Sequence, residues 1–192
     1  SPMIIFIPLF SVVGLYFVQN NIKKGKELIL CLFLILFSLS SIGYIKNYWS
    51  EYLIKYSSSW QFGYQQVFEY IGGNYDKYDS VFVTKKYGEP HIFNLFFNKI
   101  NPNMLQDQKS SIRYEKSDWL WTDKIDKVYY LNDWQIPSGS VVSSFVLESG
   151  GKISSKNSLL VTTPDHVPSN STILNTIYFL DGKPAFIIVS IP

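Results

Sequence analysis

The chain has 192 residues, with 17 Lys plus Arg against 15 Asp plus Glu, and a hydrophobic share of 46% leaves its mean hydropathy at +0.04. That average conceals an apolar first quarter and a domain of ordinary polarity, because residues 49–192 hold 13 basic and 14 acidic side chains. A near-neutral domain offers no basic stripe to nucleic acid, and the single cysteine, Cys31, permits no internal disulfide.

Residues 2–19 and 28–45 carry no charged side chain. About 18 apolar residues is near the lower limit for crossing a hydrocarbon core, so both runs are predicted to be transmembrane helices. The loop between them holds Lys23, Lys24 and Lys26 against Glu27, and short lysine-rich loops stay on the cytoplasmic side. Residues 1–48 therefore read as a two-span membrane segment, and residues 49–192 as a soluble domain on the extracytoplasmic side. The opening Ser1-Pro2 has neither an initiator methionine nor the basic flank of a signal peptide, which makes the chain read as a fragment.

Beyond the membrane, Trp49, Tyr52, Leu53 and Tyr56, then Tyr64, Val67, Phe68 and Ile71, recur at spacings of three and four, the period of one helical face. The pattern predicts a helix continuing past the bilayer, a new start near Trp60 capped by Ser57–Ser59, and an end at Gly72-Gly73. Its tyrosines and tryptophans suit the interfacial belt. Asp79–Thr84 is a short β-branched run and predicts a buried strand. It leads through Lys85–Pro90 into the apolar helix 91–97, making a βα unit with proline at the helix start. Asn101-Pro102 opens a further helical turn. Strands are also predicted at 127–131, ending in Asn132-Asp133, and at 158–163, ended by Pro164. Such an alternation implies a small three-layer α/β domain with a partly parallel sheet. The stretch 140–148 alternates weakly before Gly150-Gly151, and 164–172 reads as an exposed loop containing the glycosylation sequon Asn170-Ser171-Thr172. Finally, 176–180 and 184–190 flank Asp181-Gly182-Lys183, a strong signal for a C-terminal β-hairpin.

Motifs that carry chemistry are scarce. There is no Walker loop, GxGxxG, GxSxG or HExxH, and the two histidines, His91 and His166, belong to no zinc-binding spacing. No metal site and no cofactor are expected in this chain, and any divalent metal of an intact enzyme is left open. The acid pairs Asp76/Asp79, Glu115/Asp118 and Asp123/Asp126 sit among lysines in predicted loops and read as solvated surface charge. Trp119-Leu-Trp121, also in a predicted loop, suits stacking on a sugar face or partial insertion into the core. Open α/β sheets bind ligands at the carboxyl ends of their strands. The loop that leaves the first strand therefore supplies the candidate substrate-binding residues Lys86, Tyr87, Glu89 and His91, with ordinary loop capping as the competing account.

Two apolar spans followed by WQFGYQQVFEYI (60–71), YDSVFVTKKYGEPHIFNLFF (78–97), LLVTTP (159–164) and a hairpin with DGKPAF (181–186) resemble the C-terminal portion of polytopic GT-C membrane glycosyltransferases, of the protein mannosyltransferase-like and aminoarabinose transferase-like kinds. The resemblance extends over nearly the whole chain. It implies transfer of a sugar from a polyprenyl-phosphate donor to an extracytoplasmic protein, lipid or glycan acceptor. In that family the catalytic carboxylate lies in a first outer loop near the N-terminus, and no position here matches that motif, so no catalytic residue is carried over. The soluble domain would assist substrate positioning. The alternative, from another class, is a membrane-anchored, non-catalytic surface module that binds a glycan or a protein.

Overall fold

The computed structural model describes residues 3–21 and 24–192. Lys23 of the lysine-rich loop lies outside the described residues, as do Ser1, Pro2 and Ile22. The chain forms two compact units, residues 1–51 and 52–192.

In the first unit, α1 (Met3–Asn21) and α2 (Lys26–Asn47) are followed by a π-helical turn at Tyr48–Tyr52. Gly25 enters α2 at φ 81°, a left-handed conformation that glycine adopts without strain. No residue of α2 is buried, and Phe10, Tyr16, Leu28, Phe37 and Ile42 all present their side chains outward. Among the described residues one helix, Lys26–Lys55, is long and apolar enough to cross a membrane, with a mean hydropathy of 2.5 and none of its apolar window buried. A helix that is hydrophobic all round suits an apolar environment, either a protein core or a bilayer.

The second unit is a mixed α/β domain. After α3 (Leu53–Lys55), the helix predicted from Trp60 begins instead at α4 (Tyr64–Asn74). Ser57 is spent elsewhere, its hydroxyl donating to the Ile54 carbonyl. The start is set by Gly63 at φ 106°, where a Cβ would come within 3.0–3.3 Å of the Phe186 ring and Ile177. Gly72 and Gly73, expected to end the helix, lie inside its last turn. Tyr64, Val67, Phe68 and Ile71 of α4 form the predicted buried face. A 3₁₀ turn at Tyr75–Lys77 leads to β1 (Ser80–Thr84), whose Val81 to Thr84 are all buried, and then to α5 (Pro90–Phe97) and α6 (Asn103–Gln106).

A hairpin that periodicity did not reveal follows, β2 (Ser111–Lys116) and β3 (Trp119–Ile125). Trp119 and Trp121 are thus strand residues rather than loop residues. The turn, Ser117-Asp118, has φ of 53° and 60°, both positive as in the type I′ turns that suit two-residue hairpins. The remaining strands are β4 (Val128–Leu131), β5 (Ser144–Val146), β6 (Lys152–Ser154), β7 (Ser158–Thr162), β8 (Thr172–Tyr178) and β9 (Pro184–Ile191).

Seven strands form one sheet in the order β2-β3-β4-β1-β7-β9-β8. The three central strands, β4, β1 and β7, are parallel, while β3, β2 and β9 add in antiparallel fashion and β8-β9 is the expected C-terminal hairpin. Alternation along β1 sends Val81 and Val83 to one core, shared with α4 and α5, and Phe82 to the other. The second core is not roofed by a helix, as a three-layer domain would require. Ile136, Val142, Phe145 and Leu147 cover it, from the irregular segment after β4 and the two-stranded β5-β6 hairpin.

Candidate functional site

The connections of the central strands diverge at their carboxyl ends. From β1 the chain crosses toward α5 and the helical core, whereas from β4 it turns to the opposite core, through Ile136 and the β5-β6 hairpin. Adjacent parallel strands whose loops leave toward opposite faces create a crevice at their carboxyl ends. The residues ending β1, β4 and β7 there are Thr84, Leu131 and Thr162.

Asp133 stands at the centre. It opens a 3₁₀ turn, Asp133–Gln135, whose preceding residue Asn132 forms a reciprocal capping box with Gln135. Its Oδ1 accepts the Thr84 hydroxyl at 3.3 Å and the Thr163 hydroxyl at 3.1 Å, while its Oδ2 accepts the Lys86 ammonium at 3.1 Å. His166 Nδ1 lies 2.6 Å from the Ile136 carbonyl, and its Nε2 is 3.3 Å from Asp133 Oδ2. One carboxylate thereby ties together all three parallel strands, and both of its oxygens are engaged. The Lys86 side chain is 51% exposed, so an ammonium with three N–H donors, one of them committed to Asp133, faces solvent at the crevice.

A second cluster lies beside it. Lys85 Nζ is 2.5 Å from Asp123 Oδ1, with side-chain exposures of 7% and 0%, and Asp123 Oδ2 accepts the Ser149 N–H at 2.8 Å. The Lys85 ammonium also lies over the rings of Tyr114 and Trp121. Asp123 is therefore buried and paired, contrary to the reading of it as solvated charge. The cause is a β-bulge: Ile112 pairs with Lys124 and Arg113 with Thr122, which leaves Asp123 unopposed and turns both it and Thr122 inward. Next to this pair, Glu148 accepts from the Lys116 ammonium and the Asn132 amide. The lysine beside it holds its carboxyl down at about 2.

The four residues picked from sequence do not converge on one point. Lys86 joins Asp133. Tyr87 turns into the helical core, edge-on to Phe179 and Phe186, with its hydroxyl 3.3 Å from the Ala185 carbonyl. Burial raises its phenol above the ordinary range. Glu89 caps the entrance to α5, where its carbonyl accepts the Ile92 N–H, and its carboxylate is 3.7 Å from His91 Nε2. His91 packs edge-on to Tyr130, and burial, with the charges of Arg113 and Lys85, lowers it from 6.5 to about 4 despite the nearby Glu89. Asp133, Thr84, Thr163 and His166 were the residues sequence reasoning passed over. Their one signal is positional, since each lies at or just past the end of a predicted strand. Among the described residues no group of three or more His, Cys, Asp or Glu side chains is placed to hold a metal ion.

No family model, curated protein or solved structure matches this chain.

Proposed function

We propose that the chain is the C-terminal portion of an integral-membrane glycosyltransferase of the GT-C kind, which moves a sugar from a polyprenyl-phosphate donor to an acceptor outside the cytoplasm. In this reading α1 and α2 both span the bilayer, and the α/β domain lies on the outer side. There it positions the acceptor or the lipid-linked sugar at the β1/β4 crevice. The observation that carries the reading is the half-exposed Lys86 ammonium, fixed by Asp133 at a strand-end crevice in a chain that also holds an uncovered apolar helix. An ammonium so placed binds phosphate or sugar oxygens by charge-assisted hydrogen bonds. The transferring carboxylate, acting as general base on the acceptor, would come from elsewhere in the intact enzyme.

A second reading is a membrane-anchored, non-catalytic module that binds a glycan or a protein. The exposed rings of Trp119 and Trp134 and the neighbouring Leu120 favour it, because exposed aromatic side chains anchor interfaces.

The test is sugar transfer by membranes containing the complete gene product, supplied with radiolabelled polyprenyl-phosphate sugar. Lys86→Ala should lower transfer about tenfold or more, the factor carried by one charge-assisted hydrogen bond. Transfer that is undiminished in both Lys86→Ala and Asp133→Asn would reject the positioning role. Complete absence of transfer from any polyprenyl-phosphate sugar would favour the binding module.

A further inference from the structure

The crevice network is internally satisfied apart from the outward face of Lys86. Among the described residues, a different part of the same domain presents exposed side-chain donors with no hydrogen-bond or ion-pair partner in the protein. A cavity of about 430 Å³ opens between α6 and the β2-β3 hairpin, a size within the range of small-molecule sites. Leu105, Ile112 and Leu120 line it with apolar surface, and Gln106, Gln108 and Arg113 bring polar side chains to it.

Arg113 is the only arginine of the chain. Among the described residues its guanidinium makes no ion pair within 4 Å, although a planar fork of five N–H donors is suited to gripping a carboxylate or phosphate in bidentate fashion. No acid lines the cavity. The nearest carboxylate in sequence on the α6 side, Asp107, is turned back on the Lys109 N–H and the Ser110 hydroxyl. Glu115, two residues along β2, forms no ion pair with Arg113.

The wall is also held in place before any ligand arrives. Ser111 donates its hydroxyl to the Leu105 carbonyl at 2.9 Å and to the Asp107 carbonyl at 3.2 Å, and its N–H to the Asp107 carbonyl at 2.9 Å. These bonds lock the end of α6 to the start of β2, so the two glutamines and Arg113 are mounted on a fixed rim. Pre-formed walls reduce the ordering cost of binding.

We propose that this cavity binds a small organic oxyanion. The charged group, a carboxylate or a phosphate monoester, would be gripped by Arg113 with help from the Gln106 and Gln108 amides, and its apolar body would rest on Leu105, Ile112 and Leu120. The inference is independent of the transferase reading, since it involves neither Lys86 nor Asp133.

Calorimetric titration of the full chain in nonionic detergent with benzoate and with phenyl phosphate tests it, and the tighter probe identifies the charged group. At least one probe should bind saturably at a single site. Arg113→Gln should weaken that binding about tenfold or more, with Arg113→Lys in between. Leu120→Trp, which fills the cavity without changing charge, should weaken it as well. Failure of both probes to saturate, or wild-type affinity in a folded Arg113→Gln chain, would overturn the proposal.

Discussion

The ammonium of Lys85, just past the end of β1, and the carboxylate of Asp123 on β3 lie 2.5 Å apart in the interior, although β1 and β3 are not neighbours in the sheet, and Asp123 is completely buried. A buried pair of this kind gives little net stability relative to apolar residues of the same shape, but removing one partner leaves a charge without compensation. Asp123→Ala should therefore destabilise the domain by about 3–5 kcal/mol, and Lys85→Met combined with Asp123→Leu should restore most of the loss. A double-mutant cycle from denaturant melts checks both statements. Additive single effects would show that the two side chains do not depend on each other.

The bulge that aims Asp123 inward also buries the Thr122 hydroxyl, which finds no hydrogen-bond partner among the described residues. An unsatisfied buried hydroxyl costs about 1–3 kcal/mol. Thr122→Val, nearly the same shape, is expected to raise the unfolding midpoint. A lower midpoint would mean that the hydroxyl is satisfied.

Acid should weaken the fold in two stages. His91 is lowered from 6.5 to about 4 by burial and by Arg113 and Lys85, so the unfolded chain binds a proton there that the folded chain refuses. Its contribution is complete above pH 6.5 and is lost as the pH falls toward 4, with a slope of at most about 1.4 kcal/mol per pH unit. Glu148, lowered from 4.5 to about 2 by Lys116, contributes above pH 4.5 and is lost below it. In a series of melts, His91→Gln should flatten the first stage and leave the second intact. An unchanged slope between pH 6.5 and 4 would remove His91 from the account.

The sequon asparagine is not a free loop residue. Asn170 accepts the Val142 N–H at 2.9 Å and donates to the Val142 carbonyl at 2.8 Å, clipping the loop before β8 to the segment that covers the second core. Asn170→Ala should cost about 1–3 kcal/mol and speed amide exchange at Val142. Unaltered exchange there would show that the clip has no structural role.

Much of this architecture was legible in the residues. The β-branched runs at 79–84, 127–131 and 158–163 became the three parallel strands, and Asp-Gly marked the final hairpin, because buried strands and tight turns impose local composition. The β2-β3 hairpin escaped notice because its exposed outer strand carries Arg113, Glu115 and Lys116 instead of an apolar alternation. The candidate site was half visible: Lys86 was found from its place after a strand. Asp133 gained its role only when three strands brought Thr84, Thr163 and Lys86 to one carboxylate, contacts that span 30 to 49 residues. Asp123 was misread because a bulge reverses which face a residue takes, and no local composition announces it.

The proposed transferase role requires the α/β domain to lie outside the cytoplasm. The decisive measurement is labelling of an exposed cysteine at Ser138→Cys, in a Cys31→Ala background, by a membrane-impermeant maleimide in intact cells. Ser138 lies in an exposed turn, so the reagent reaches it from whichever side it occupies. Full labelling of intact cells is the result expected for an extracytoplasmic domain; labelling only after permeabilisation would place the domain inside and contradict the transferase reading.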